Sequence, residues 1–129
     1  MERLFAGECD PKQLSPLTLA FVGDCVFELF VREWLVCQAN CPVNALHKHS
    51  VAQVCCQAQA KSMEKLMPFL TEREQQIFKR GRNATTSHVP KNASPKDYHA
   101  ATGFETMFGY LYLNGEIARL RELFSMICE

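Results

Sequence analysis

The sequence predicts an all-α domain, a helical bundle of about five to seven helices, and three observations carry that prediction. Apolar residues recur at helical spacing in several separate stretches, capping residues stand where those stretches begin, and no alternating run long enough for a strand interrupts them. With 129 residues, 47% of them apolar, the chain is sized for one core, so residues 1–129 are read as a single domain.

Ser15 and Pro16 read as the N-cap and first residue of the first helix, because the N–H that proline lacks has no partner at that position anyway. The helix runs to about Gln38. Its apolar residues, among them Leu17, Leu19, Phe21, Val22, Phe27, Leu29, Phe30 and Trp34, cover most of the circumference, as for a helix at the centre of a bundle. Its polar stripe is short: Asp24, Glu28 and Arg32, four residues apart. A second helical region opens after Cys41 and Pro42, with Val43, Leu46, Val51, Val54 and Cys55 as apolar positions, and Pro68 closes it. Thr71 and Glu74 have the spacing of a capping box for a short helix that Gly81 is expected to end. From about Pro95 or Asp97 another helix sets Phe104, Met107, Phe108 and Leu111 on an apolar face. A turn at 114–116 then leads into a last helix carrying Ile117, Leu120, Leu123, Phe124 and Ile127.

The formal net charge is zero, so composition alone does not favour a nucleic-acid role; such a role needs locally concentrated charge. Residues 79–96 supply it. They read as an exposed basic loop with Lys79, Arg80, Arg82, Lys91 and Lys96 and no acid, and Asn83, Thr85, Thr86, Ser87 and Asn92 add groups suited to phosphate and sugar oxygens. His47, Lys48 and His49 form a second polar cluster. The two histidines are two residues apart, so on a helix they diverge and make a poor metal pair; a surface or nucleic-acid-facing role fits them better.

Seven cysteines, an odd number without a CxxC pair, indicate reduced thiols, with Cys55 and Cys56 read as core packing. The first residues lack the pattern of a leader, and no apolar run is clean enough to cross a membrane. The expectation is a soluble, cytoplasmic protein.

Two acids stand out. Asp24 follows Gly23 inside the apolar first helix, where a glycine costs about 1 kcal/mol relative to alanine, and a carboxylate held among apolar groups must find a partner. Glu105 stands between Phe104 and Met107 in a similar setting, with Gly109 one turn on. The two glycines would let the helix backbones approach until the carboxylates converge. Such a pair raises the pKa of one member, and a hard divalent cation keeps both ionised; magnesium, which retains several waters, can be held by two carboxylates alone. The competing reading is structural, an acid paired with an arginine or a helix end.

The stretch from Leu19 to Glu28, "LAFVGDCVFE", resembles the signature helix of the ribonuclease III family, and "FETMFGYLYL" resembles that family's second acidic helix. With "LHKHS", "FKRGRNA" and "PKN" between them, and no double-stranded-RNA-binding domain expected behind them, the chain is similar to the short bacterial Mini-III branch. The resemblance implies a magnesium-dependent endonuclease domain that cuts double-stranded RNA as a homodimer and leaves 5′-phosphates. It places the branch in maturation of 23S ribosomal RNA, with the assembling large subunit or a ribosomal protein as a further partner.

Matched residue by residue, the metal-binding and catalytic acids fall on Asp24 and Glu105. Three further family acids are replaced by Leu17, Ala20 and Thr102, a reduction that belongs to the Mini-III pattern. RNA contacts are assigned to Lys79, Arg80, Arg82, Asn83 and Lys91, with His47, Lys48 and His49 beside them. The missing acids motivate a second reading, a non-catalytic RNA-binding or dimerisation module on the same fold. Retention of both Asp24 and Glu105 argues against it, since a scaffold gains stability by replacing them with apolar residues.

Overall fold

A computed structural model describes residues 3–84 and 89–128. Six α-helices make up the fold: α1 (Pro16–Gln38), α2 (Val43–Val54), α3 (Cys56–Leu66), α4 (Glu72–Arg82), α5 (Pro95–Leu113) and α6 (Ile117–Cys128). Single 3-10 turns at Pro11–Gln13 and Met67–Phe69 complete it, and no strand occurs among the described residues.

Capping chemistry sets several of the helix starts. The Ser15 hydroxyl accepts from the Thr18 N–H ahead of Pro16, and Ser94 accepts from Asp97 ahead of Pro95. Thr71 and Glu74 close a reciprocal capping box at α4. At the far end of α5 the chain turns through Gly115, whose φ of 76° is open to glycine without strain, and the Glu116 N–H returns to the Leu111 carbonyl.

The helix at the centre of the bundle is α5, not α1. Ten α5 residues are buried, and α1, α3, α4 and α6 all pack against it. Phe27 of α1 meets Phe104 and Phe108 edge to face, at 4.9 and 5.5 Å between centroids, and Phe30 stacks on Phe124 of α6 at 5.0 Å. One side of α1 (Leu19, Ala20, Gly23, Phe27, Val31) faces this core, while Leu17, Phe21, Leu29 and Val36 on its other sides are exposed.

Two further expectations are corrected. The second helical region is divided at Cys55, whose extended backbone (ψ 155°) separates α2 from α3; Cys55 is exposed and Cys56 half-buried, so the pair is not core packing, and Val43 and Val51 are exposed. Gly81 does not end α4. It is buried inside the helix against Thr106 of α5, where a Cβ would lie 2.2 Å from Oγ1, and Asn83 is the C-cap. Lys79, Arg80 and Arg82 therefore belong to the last turn of α4 and not to a loop. Thr85, Thr86 and Ser87 lie outside the described residues. All seven cysteines are free thiols.

Candidate active site

Asp24 and Glu105 meet where α1 crosses α5, and the crossing depends on two glycines. A Cβ on Gly23 would stand 1.7 Å from the Glu105 carbonyl oxygen, and one on Gly109 would stand 1.9 Å from the Leu19 carbonyl oxygen. Each glycine thus faces the backbone of the opposite helix, and only hydrogen side chains fit between them. Asp24 follows one of these glycines and Glu105 lies one turn before the other. That close approach brings the two carboxyl groups near enough for Asp24 to act on the Glu105 carboxyl.

The surroundings of the two acids differ. Glu105 is half-buried on the central helix, whereas Asp24 is exposed. The expectation of a buried Asp24 is thus corrected: it lies on the side of α1 that also bears exposed Phe21 and Cys25, outside the core. Burial, then the hydrogen bond and negative charge of Asp24, push the Glu105 carboxyl up to about 8, and a hydrogen bond from Gln59 opposes that shift. Without a cation, Glu105 therefore keeps its proton at neutral pH. Gln59 of α3 donates through Nε2 to Glu105 Oε2 at 3.4 Å.

This donor set fits a hard divalent cation. Two carboxyl groups are pressed together with one of them open to solvent, and a cation between them relieves the repulsion that otherwise keeps a proton on Glu105. No cluster of three or more His, Cys, Asp or Glu side chains forms among the described residues, so a cation here would draw two carboxylates from the protein and fill its shell with water and substrate oxygens. Thr102, at one of the replaced acidic positions, donates to the Tyr98 carbonyl in its own helix and is buried. Glu28 pairs with Arg32 at 2.6 Å along α1.

The basic candidates stand on two elements. Lys79, Arg80 and Arg82 are exposed in the last turn of α4, where cations also complement the helix dipole. Arg82 lies over the Phe78 ring at 5.7 Å and donates to Asn83 Oδ1 at 3.2 Å. Lys91 is exposed in the segment leading to α5, and His47, Lys48 and His49 are exposed on α2.

Sequence reasoning missed Gln59. It sits among small residues in "CCQAQAK" with nothing in its spacing to separate it from Gln57, which is exposed.

Comparison with known proteins decides the family. Residues 17–116 match the model of the ribonuclease III domain, a span that contains both acids and the glycines of the crossing. The chain belongs to the ribonuclease III family. Within it the chain is similar to proteins named Mini-ribonuclease 3: that of Symbiobacterium thermophilum is 49% identical over 114 residues, covering 88% of each chain. That of Clostridium tetani is 42% identical over 132 residues, covering 98% of this chain and 87% of the relative. A crystal structure of a Fusobacterium nucleatum protein superposes with a TM-score of 0.83 at 27% identity, covering 95% of this chain and 97% of that one. The protein is thus a Mini-III endoribonuclease, in a family that is generally metal-dependent and acts on double-stranded RNA.

Proposed function

We propose that this Mini-III ribonuclease hydrolyses phosphodiester bonds of double-stranded RNA in a magnesium-dependent reaction, with precursor 23S ribosomal RNA as its substrate. The observation that carries the reading is the contact between Asp24 and Glu105 across a glycine-lined helix crossing, at a site open to solvent on one side. The choice of 23S ribosomal RNA follows from membership of the Mini-III branch, whereas hydrolysis and a divalent cation follow from the two acids.

Asp24 and Glu105 would hold the ion. When bound, magnesium supplies charge neutralisation at the scissile phosphate and lowers the pKa of the attacking water. Water adds to phosphorus, the bond to the 3′-oxygen breaks, and the products carry a 5′-phosphate and a 3′-hydroxyl. The close crossing of α1 and α5 fixes the backbones from which the two carboxylates project, so less ordering is needed when substrate arrives.

Lys79, Arg80, Arg82, Asn83 and Lys91 serve as contacts to the RNA backbone, with His47, Lys48 and His49 as a second set. An A-form duplex offers them phosphates and 2′-hydroxyls in preference to base edges. A homodimer would provide one site for each strand.

The test is cleavage of a long double-stranded RNA by the wild type with magnesium, by the wild type with EDTA, and by Asp24→Asn and Glu105→Gln, with circular dichroism as the check on folding. Cutting is expected in the first reaction alone. A wild type that binds duplex RNA but never cuts it, whichever divalent ion is supplied, would instead identify a non-catalytic module on this fold.

A further inference from the structure

An uncharged amide buried in a protein core is unfavourable unless its polar atoms are met. Gln59, in the first turn of α3, is 1% exposed. The other core-facing residues of that helix are Ala60, Met63 and Leu66, so an apolar side chain would suit the packing at this position. Other buried polar groups work inside the scaffold: Glu74 is bound by Arg119, and Thr102 and Thr106 donate to the carbonyls of Tyr98 and Thr102 one turn back. The hydrogen bond of Gln59 instead crosses from α3 to Glu105.

The residue type also fits that place. Lysine or arginine would set a positive charge against any cation bound by Glu105, and an acid would add a third negative charge to an already repelling pair. The amide is a neutral donor of fixed geometry. It can hold one oxygen of a carboxylate and leave the other free, much as groups behind metal ligands commonly fix their orientation.

We propose that Gln59 is a positioning residue of the active site: by holding Oε2 of Glu105 it turns the other carboxylate oxygen toward a divalent cation beside Asp24. This rests on the reading of Asp24 and Glu105 as the cation site. The Glu105 side chain reaches the site from the central helix and has several rotatable bonds, so without Gln59 the cation would have to order it unaided.

The test is direct titration of the full chain with Mn²⁺ by calorimetry, comparing wild type, Asp24→Asn and Gln59→Met, with thermal unfolding measured in parallel. Binding should vanish in Asp24→Asn. In Gln59→Met it should weaken about tenfold, the lower end of the range for groups that orient metal ligands. The magnesium concentration for half-maximal RNA cleavage should rise by a similar factor, with a smaller change in the rate at saturating magnesium.

A lowered melting temperature with unchanged Mn²⁺ affinity would reduce Gln59 to a packing role and overturn the proposal. Undiminished binding by Asp24→Asn would instead overturn the cation-site reading on which it rests. A second measurement does not depend on the variant folding. In the wild type, the side-chain NH₂ signals of Gln59 in ¹⁵N NMR should shift on titration with Mg²⁺ at the midpoint of binding, and signals that stay fixed through saturation would also overturn the proposal.

Discussion

Glu74 is a charged residue at 1% exposure, and it keeps its charge because each oxygen is used. Arg119 donates to Oε2 through Nε and to Oε1 through Nη2, both at 2.8 Å, and the Thr71 backbone N–H donates to Oε1. Burial alone would push this carboxyl up, but the Arg119 and Thr71 hydrogen bonds and the Arg119 charge outweigh it and hold the pKa below 4.5. Arg119 is tied in turn to Glu122 and to the Phe69 carbonyl, so one guanidinium joins α4, α6 and the turn between α3 and α4. A depressed carboxyl pKa contributes stability above the unfolded-state value and loses it as pH falls through the folded-state value. Arg119→Met should therefore cost about 3 kcal/mol at pH 7, near the lower end for a broken buried pair. The loss should shrink towards pH 3.5, because in the variant only the Thr71 hydrogen bonds oppose burial, which favours the protonated form of Glu74. Urea denaturation at the two pH values measures the difference, and a loss independent of pH would show that packing, not charge, is what Arg119 provides.

Among the elements, the α1–α5 crossing does most to determine what the protein can do. Gly109→Ala would place a Cβ 1.9 Å from the Leu19 carbonyl oxygen, a backbone atom that no rotamer change can move. The helices must separate. A loss of about 3 kcal/mol is expected, the upper part of the usual overpacking range. Cleavage should fall on the order of 100-fold even where circular dichroism shows intact helices, since a displacement near 1 Å at a reacting centre has that effect. Wild-type cleavage by a folded Gly109→Ala variant would mean that the crossing does not set the spacing of the two carboxyls. This crossing was readable in the sequence because a glycine next to one acid and another one turn from a second acid, both in apolar helices, are unfavourable without a close approach. The α4 capping box and the Ser15–Pro16 start were readable for the same kind of reason: their chemistry is local. The central place of α5 was not, because periodicity records how apolar a helix is and not what covers it, and α1 is apolar on faces that the folded chain leaves open. The partners of Glu105 and Glu74, namely Gln59 and Arg119, lie 46 and 45 residues away in sequence, where no spacing rule reaches.

At the scale of the molecule, the open side of α1 is the feature a single chain leaves unexplained. Leu17, Phe21, Leu29 and Val36 are exposed along it, with Phe21 at 81%, and Val43 extends the apolar surface at the start of α2. A stripe of this kind on a single chain marks an interaction surface, and a second copy presenting the same stripe would cover it in an isologous, two-fold interface. Asp24 is three residues from Phe21 and exposed on the same helix, so that pairing would bring the Asp24 side chains of both copies near the dimer axis, where a duplex could meet both. Phe21→Glu tests this without disturbing the core, since the side chain lies outside it. Sedimentation at micromolar concentration should show a dimer for the wild type and a monomer for the variant, with helical content unchanged and double-stranded RNA cleavage reduced at least tenfold, the equivalent of about 1.4 kcal/mol. If Phe21→Glu remains dimeric, the two-fold contact lies on another face. If it becomes monomeric and still cuts both strands at the wild-type rate, the apolar stripe holds the copies together without bringing their two sites to one duplex.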